Sequence, residues 1–306
     1  MAATLSPLVR QAEVIHVHSI WMAPEVIAAR EATRIRRPWL VTFHGMVQPS
    51  EFARKRWKKL TYWRWVGAPT FGAADLVHAI TLAERDVLHA ILPGARIEVI
   101  PNGLDVCAAD AEGAAVCQEP DRRCIMFFGR VAPGKGVDRL IAAFGRAGLA
   151  REWHIDVVGP CAPDYRAELQ SLAHAENLGG RVHFVGPVRG AEKWACLKRA
   201  WLAAMPSVSE VVGMANLEAA SAGVPTLVGP GCGLLDWAES GGMMVAPEVE
   251  PLAKALRAAA AWTDEERDHR GRGLRSLIER RYSAPVVGRQ LGALYRELAA
   301  GGGCRP

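Results

Sequence analysis

A basic loop bounded by glycines is the first segment whose residue types could do chemistry. Residues 129–136 read GRVAPGKG and follow the apolar run CIMFF. The spacing approaches that of a P-loop, but Gly136 replaces the hydroxyl that would hold Mg²⁺, and Pro133 removes one backbone N–H. We therefore reject an ATPase. Arg130 and Lys135, at a junction where a helix N-terminus already favours anions, fit a diphosphate, whereas a surface loop with solvated charges is the alternative.

Two glutamates in the segment PSVSEVVGMANLEAA, residues 206–220, form the second candidate. If a helix begins near Gly213, Glu210 lies in the loop above it and Glu218 faces the same cleft about one and a half turns along. Gly213 lets a ligand approach the backbone, whose N–H groups there favour negative charge. A carboxylate below such a site can bind ribose hydroxyls, and one above it can face a sugar. The alternative is two ordinary acidic residues favoured by the helix dipole.

The order of the apolar runs predicts the elements that position these residues. A chain of 306 residues suggests two domains, and short β-rich runs alternating with helical patterns are typical of parallel βαβ construction. We predict an α/β fold with two Rossmann-like lobes, divided into a first lobe 1–106, a linker 107–123, a second lobe 124–281, and a crossing helix and tail 282–306. The predicted strands are 14–18, 39–44, 76–81, 96–101, 124–128, 155–159, 182–186, 202–206, 225–229 and 243–245.

Composition limits the class of protein further. The seven cysteines are scattered without a C-x-x-C pair, which argues against a disulfide framework or a zinc site and for reduced cytosolic thiols. No apolar run reaches the ~18 residues that span a bilayer, so we expect a cytoplasmic protein. The net charge of +5 is mildly basic. Since no helix-turn-helix, zinc-finger or RNP pattern accompanies it, we expect no nucleic-acid partner.

One basic stretch carries most of the concentrated positive charge together with three tryptophans. Its residues are Arg54, Lys55, Arg56, Lys58, Lys59, Arg64, Trp57, Trp63 and Trp65. Such a stretch can lie on an anionic membrane surface, because the rings suit the interface and each cation adds about 1 kcal/mol. The alternative is a solvated helix whose tryptophans pack inward. Both interpretations stay open, and the first implies a peripheral protein at the inner membrane face.

The basic loop and the acidic segment together resemble the retaining glycosyltransferases of family 4, whose GT-B fold has two Rossmann lobes. The stretch SEVVGMANLEA matches the family's two glutamates with seven residues between them, and SAGVPTLVG is also similar to the family. The resemblance implies that Glu218 binds the donor ribose and that Arg130 and Lys135 bind the diphosphate. It also places Glu210 and the backbone of Gly213 and Met214 beside the transferred sugar.

One departure lies inside the acidic motif. Val211 and Val212 stand where the family usually has a small or polar residue and an aromatic. We interpret this as a change in donor choice rather than a loss of activity.

The first lobe supports the same resemblance through His16-Val17-His18, Thr42-Phe43-His44-Gly45 and Pro101-Asn102-Gly103. A lone histidine is more often structural, but by resemblance His44 becomes an active-site residue. Residues 45–65 look like members that build exopolysaccharide or other surface glycans on lipid carriers. Family members normally begin with a strand, a glycine-rich turn and a helix. No such turn precedes His16, so we expect an incomplete N-terminal lobe, for which a truncated gene, a misplaced start and a degenerate homologue are all open.

The resemblance implies transfer of a hexose from a nucleoside diphosphate sugar to a glycan or lipid-linked acceptor, with retention of anomeric configuration. No cofactor or metal is expected, because Arg130, Lys135 and a helix N-terminus can stabilise the departing diphosphate. The family's front-face mechanism names no general base. A nucleotide-sugar epimerase of the same fold and a catalytically idle homologue are the rivals, whereas the absence of G-x-G-x-x-G disfavours a dehydrogenase. The donor base, the sugar and the acceptor stay open.

Overall fold

The computed structural model describes residues 2–49, 52, 55–106, 121–208 and 210–301. Contacts divide the chain into unit 1, Met1–Asn102 with Pro285–Pro306, and unit 2, Gly103–Ala284. The elements of the first hundred residues are α1 (Ala2–Gln11), β1 (Ile15–His18), α2 (Ala23–Arg34), β2 (Trp39–Thr42), α3 (Arg56–Tyr62), a π-helical turn (Trp63–Gly67), α4 (Ala68–Phe71), β3 (Leu76–Ala79), α5 (Leu82–Ile91) and β4 (Ile97–Val99).

The remaining elements alternate regularly between strands and helices. They are β5 (Asp121–Phe128), α6 (Val137–Ala147), β6 (His154–Val158), α7 (Pro163–Ala175), β7 (Val182–Gly186), α8 (Gly190–Arg199), β8 (Ala200–Met205), α9 (Met214–Ser221), β9 (Thr226–Val228), a 3₁₀ turn (Pro230–Cys232), β10 (Met243–Met244), α10 (Val249–Ala260), α11 (Asp264–Leu277), a π-helical turn (Ile278–Tyr282) and α12 (Ala284–Gly301).

The sheet of unit 1 is parallel, with strand order β1-β2-β3-β4. Its central strands, WLVT and LVHA, are buried along their whole length, as expected for a parallel sheet covered on both faces. Alternate side chains enter different cores: Trp39 and Val41 pack with Phe71, whereas Leu40 packs with Leu294 of α12. The last helix of the chain therefore helps to cover the first sheet.

The sheet of unit 2 is also parallel, with order β10-β9-β8-β5-β6-β7. The chain runs outward from β5 through β6 to β7, returns to β8 on the other side of β5, and continues to β10. The direction of winding therefore reverses between β5 and β8, the switch point at which open α/β sheets bind ligands. The loops that leave β5 and β8 at this point contain the basic loop and the acidic segment.

The apolar runs predicted the strands correctly. All ten predicted strands are present, with ends within three residues of the prediction. The strand predicted at 39–44 ends at Thr42 because His44 has a left-handed φ of 51°. Helix α2 ends at Arg34, shortly before Arg36, whose φ of 55° is not helical.

Three further segments need comment. Helix α1 was not predicted. Most of the predicted linker, residues 107–120, lies outside the described residues, and its last three residues already belong to β5. A capping box begins α11: the Thr263 hydroxyl accepts from the Glu266 N–H, and the Glu266 carboxylate accepts from the Thr263 N–H.

The basic helix α3 and the turn after it present two of their tryptophans to solvent. Trp57 is 81% exposed and Trp65 is 71% exposed, whereas Trp63 packs against the core of unit 1. The interpretation that the tryptophans pack inward is therefore correct only for Trp63. Arg54 lies outside the described residues. Within the described ranges, no helix combines the length and the apolar character that crossing a bilayer requires.

Candidate active site

The loops after β5 and β8 approach each other so closely that one of them requires glycine. Gly136 has a φ of 81°, and a Cβ atom there would lie 2.3 Å from the carbonyl oxygen of Pro206. The Val208 N–H also donates to the Gly134 carbonyl at 3.1 Å. The two segments singled out in the sequence are thus joined through their backbones.

A cavity of about 220 Å³ lies between these loops. The predicted site residues that line it are Arg130, Lys135, Glu210, Gly213 and Met214. Glu218 is not among the lining residues. It lies further along α9, where its carboxylate accepts from the Lys193 ammonium of α8 at 3.4 Å. The structure therefore brings five predicted residues together and places the sixth beside a second lysine.

The Lys135 ammonium is paired with a carboxylate across this cavity. It donates to Glu210 Oε2, which also accepts from the Ser207 hydroxyl at 3.2 Å. Both side chains of the ion pair are 23% exposed, so solvent screens their attraction less than that of a surface pair. A diphosphate entering the cavity would compete with Glu210 for the same ammonium.

Asn216 is a cavity residue to which the sequence analysis gave no role. It is 3% exposed, lines the cavity, and its Oδ1 has no hydrogen-bond partner among the described residues. A Cβ atom at Gly213 would lie 2.2 Å from the Asn216 amide nitrogen, so the glycine makes room for this side chain. An unsatisfied buried acceptor costs about 1–3 kcal/mol, which a ligand that donates to it would recover. The only sequence signal was a polar residue within an apolar helical turn.

In unit 1, His44 lies in a turn whose backbone donates a hydrogen bond to the buried carboxylate of Glu84. The Gly45 N–H and the Ile80 N–H donate to the two oxygens of Glu84, which has no exposed surface. Burial raises the pKa of Glu84, and these two donors oppose the rise. His44 itself is exposed, and its Nε2 lies 2.9 Å from Nδ1 of His18. His18 is therefore a further candidate site residue, to which the sequence alone assigned no role.

Four histidines cluster at the carboxyl ends of β1, β2 and β3, and all of them favour the neutral form. Burial lowers the pKa of His18, His44 and His78. Burial, with smaller contributions from the other three rings, lowers the pKa of His16 to about 3. The cluster therefore offers neutral donors and acceptors instead of positive charge.

Among the described residues, one group could offer three ligand atoms to a metal ion. Cys124, His154 and Asp156 have such atoms within 4.8 Å of one another. The Asp156 carboxylate already accepts from the Arg199 guanidinium and lies 3.0 Å from Nδ1 of His183. We interpret the group as a polar network between neighbouring strands, on β5 and β6 and away from the loops that line the cavity.

Two families match adjoining parts of the chain. The family described as glycosyltransferase family 4 matches residues 2–107, and the family described as glycosyl transferases group 1 matches residues 115–272, more than half of the chain. The chain belongs to the glycosyl transferases group 1 family. The predicted resemblance is thereby confirmed.

Curated relatives of this glycosyltransferase are distant. It is 24% identical over 296 residues to the GDP-mannose:cellobiosyl-diphosphopolyprenol alpha-mannosyltransferase of Xanthomonas oryzae. The matched region covers 95% of this chain and 76% of the relative. It is 27% identical over 169 residues to the D-inositol 3-phosphate glycosyltransferase of Jonesia denitrificans, which covers 52% of this chain and 39% of the relative.

Solved structures show the fold of this glycosyltransferase. The sucrose-phosphate synthase of Thermosynechococcus elongatus has a TM-score of 0.78 and 23% identity, covering 98% of this chain and 79% of its own. The Anabaena protein HepE in complex with UDP and glucose has a TM-score of 0.77 and 19% identity, covering 97% of this chain and 81% of its own. The predicted fold class, two Rossmann-like lobes of GT-B type, is therefore confirmed.

The histidine cluster predicts a loss of stability in acid. In the unfolded chain His16 binds a proton near its ordinary pKa of 6.5, whereas native His16 does so only near 3. The unfolded state takes up the proton first, so stabilisation present above pH 6.5 is lost as the pH falls toward 3. At pH 5 we expect His16 to contribute a loss on the order of 1 kcal/mol, after allowance for its partly exposed ring.

Hydrogen exchange of the β1–β3 amides at pH 7.5 and pH 5, corrected for intrinsic rates, measures this loss. His16→Gln should reduce the dependence of unfolding free energy on pH, and His89→Gln, at an exposed position of α5, should preserve it. An unchanged pH dependence in His16→Gln would contradict the assignment.

Proposed function

We propose that this glycosyltransferase moves a hexose from a nucleoside diphosphate sugar to a glycan or lipid-linked acceptor, with retention of anomeric configuration. The observation that carries the proposal is the cavity at the switch point of unit 2. There the cations Arg130 and Lys135 face Glu210 and the start of helix α9. A site that combines two cations, a helix N-terminus and a carboxylate suits a ligand with a diphosphate at one end and hydroxyls at the other.

The proposed binding step exchanges the partners of Lys135. Without ligand, the ammonium neutralises Glu210. With the donor bound, the diphosphate takes the ammonium, and the Glu210 carboxylate becomes free to accept hydrogen bonds from the transferred sugar. Glu218, which accepts from Lys193 in the ligand-free protein, would accept from the ribose hydroxyls.

The departing diphosphate needs charge stabilisation, which the residues that line the cavity could supply without a metal. Arg130, Lys135 and the N–H groups at Gly213 and Met214 would act on the oxygens that gain charge as the glycosidic bond breaks. No protein group is assigned as general base. The donor phosphate would accept the proton of the acceptor hydroxyl, so the proton leaves with the nucleoside diphosphate.

The relatives favour a donor class and an acceptor class without fixing either. The Xanthomonas protein is named for transfer from GDP-mannose to a diphosphopolyprenol-linked acceptor, and HepE was solved with UDP and glucose. We therefore propose a role in surface polysaccharide synthesis. A thermal-shift screen with UDP, GDP, ADP and their sugars would identify the base, since a ligand at 100 times its Kd adds about 2.7 kcal/mol.

Product analysis distinguishes the proposal from its rivals. With the donor that the screen identifies, transfer would give a glycosylated acceptor of unchanged anomeric configuration. An epimerase would give an altered sugar without any acceptor, and an idle homologue would bind nucleotide without turnover.

We predict that variants at Lys135 and at Glu210 differ in their effects on nucleotide binding. Lys135→Ala should weaken the calorimetric affinity for the nucleoside diphosphate by about 1–3 kcal/mol, because one charge-assisted hydrogen bond is lost. Glu210→Gln should leave that affinity equal or higher, since the competing carboxylate is gone, and should lower kcat. Glu218→Ala should weaken binding by a similar amount.

Lys254→Ala, at an exposed position of α10, is the matched control and should bind normally. Equal weakening by Lys135→Ala and Glu210→Gln would contradict the exchange of partners. Unchanged affinity in both Lys135→Ala and Glu218→Ala would remove the site assignment.

We predict that Asn216 lowers the stability of the ligand-free protein and strengthens its binding of the nucleotide sugar. Asn216→Leu replaces a buried amide, whose acceptor is unsatisfied, with an apolar side chain of similar shape, so the ligand-free protein should unfold at a higher temperature. Affinity for the nucleotide sugar should fall. A lower melting temperature with unchanged affinity would instead indicate a structural role for the amide.

We also propose that the exposed tryptophans of unit 1 bind an anionic membrane surface. Trp57 and Trp65 are exposed beside the exposed cations Lys55, Arg56 and Lys58. Weak binding to vesicles of phosphatidylglycerol and phosphatidylcholine should fall as salt is raised, because ions screen the charge attraction. The double variant Trp57→Ser, Trp65→Ser should bind less. Co-sedimentation that does not depend on salt, or that is absent, would contradict this proposal.

A further inference from the structure

A chain of four hydrogen bonds runs through the interior of unit 1, from the last helix to the third strand. Tyr295 Oη lies 2.7 Å from His16 Nδ1, and His16 Nε2 lies 2.6 Å from Thr42 Oγ1. Thr42 Oγ1 lies 2.7 Å from His78 Nδ1, and His78 Nε2 lies 2.7 Å from the carbonyl oxygen of Ile100. This series of hydrogen bonds connects α12 with β1, β2 and β3, and it ends at Ile100, the residue after β4.

The carbonyl at its end fixes the direction of every bond in the chain. A carbonyl only accepts, so His78 Nε2 carries the hydrogen, and because burial keeps His78 neutral, its Nδ1 is an acceptor. The Thr42 hydroxyl must donate its single hydrogen to that nitrogen, and it therefore accepts from His16 Nε2–H. His16 Nδ1 is left as the acceptor of the Tyr295 hydroxyl. Each histidine in the chain thus has one permitted tautomer.

The fixed His16 ring supports the two exposed histidines. The His18 ring stacks on it at 4.0 Å between centroids, and the His44 ring stacks on His18 at 5.2 Å. His18 Nδ1 and His44 Nε2 are 2.9 Å apart, so one of them donates to the other. Neither His18 Nε2 nor His44 Nδ1 has a hydrogen-bond partner among the described residues.

Two neutral imidazoles that share one hydrogen bond always leave one N–H donor and one bare nitrogen acceptor for a ligand. If His44 Nε2–H donates, His18 presents Nε2–H outward and His44 presents a bare Nδ1. If His18 Nδ1–H donates, the two outward roles exchange. In both cases the pair offers one donor and one acceptor, which suits hydroxyl groups, since each hydroxyl can donate and accept. A phosphate, which only accepts, would satisfy only one end.

We propose that His18 and His44 together bind two hydroxyl groups of a sugar, and that Tyr295 is the positioning residue that holds this pair through His16. The inference rests on the proposed function for the origin of the sugar, which is either the donor or the acceptor. It adds His18 as a second sugar-contacting histidine and gives helix α12 a role in the site.

Long-range ¹H–¹⁵N spectra of protein labelled at histidine test the arrangement without turnover. We expect His16 and His78 as single Nε2–H tautomers in wild type and in Tyr295→Phe, because the Ile100 carbonyl sets the direction of the hydrogen bonds. In Tyr295→Phe the His16 Nδ1 signal should shift, because its donor is lost, together with the His18 and His44 signals. Titration of wild type with mannose and with glucose should shift His18 and His44 but not His89. A His16 Nδ1–H tautomer would contradict the chain, and unshifted His18 and His44 signals with both sugars would overturn the proposal.

Kinetics with the donor and acceptor that support transfer by wild type provide the second test. His18→Gln should lower kcat/KM about tenfold, as expected for the loss of one or two hydrogen bonds, and Tyr295→Phe should lower it by a smaller factor. A rise in the KM of the donor or of the acceptor identifies which sugar is bound. The calorimetric affinity for nucleoside diphosphate should stay unchanged, and His89→Gln should behave as wild type.

Different results would contradict the proposed function and the role of the histidine pair. Transfer by His18→Gln equal to that of His89→Gln would overturn the role of His18 while leaving the proposed function intact. No nucleotide binding by wild type would overturn the proposed function, and the sugar titration would still decide on the histidine pair.

Discussion

The close approach of the loops after β5 and β8 is the constraint on which the candidate donor site depends. A Cβ atom at Gly136 would lie 2.3 Å from the Pro206 carbonyl oxygen, so any side chain there would push the loops apart. Lys135, directly before this glycine, reaches Glu210 only because the loops are in contact. Backbone geometry at the switch point therefore determines which charges meet, and the charges then determine what can bind.

The ion pair in the ligand-free site compensates two partly buried charges that would otherwise be costly. A partly buried ammonium without a counter-ion is costly, and a carboxylate left alone is equally so. Lys135 and Glu210 neutralise each other until a ligand with its own negative charge arrives. In the proposed exchange, a diphosphate would replace the Glu210 carboxylate as the partner of Lys135, and sugar hydroxyls would donate to the released Glu210. Such an exchange keeps both charges compensated in both states.

The sequence predicted the parts of this structure that local chemistry determines. Apolar runs located the ten strands, because the signal for a buried strand lies within a few consecutive residues. It did not reveal Asn216 or His18, since their significance comes from an unsatisfied oxygen in one case and a ring 26 positions away in the other. Trp63 and its neighbours were assigned together because a π-helical turn changes the side-chain period, and the pattern alone did not indicate that turn.

The two units differ in the chemistry that they present. The cavity of unit 2 is lined by ionised groups, which suit the charged part of a nucleotide sugar. In unit 1, burial favours the neutral form of the histidines, and the series of hydrogen bonds that ends at the Ile100 carbonyl fixes the His16 tautomer. Neutral rings suit hydroxyls, because a neutral imidazole can donate at one nitrogen and accept at the other, whereas an imidazolium can only donate. Holding ionisable rings in the neutral form requires burial, and burial makes unit 1 sensitive to acid. The same packing that keeps these histidines neutral should therefore limit the pH range in which the unit stays folded.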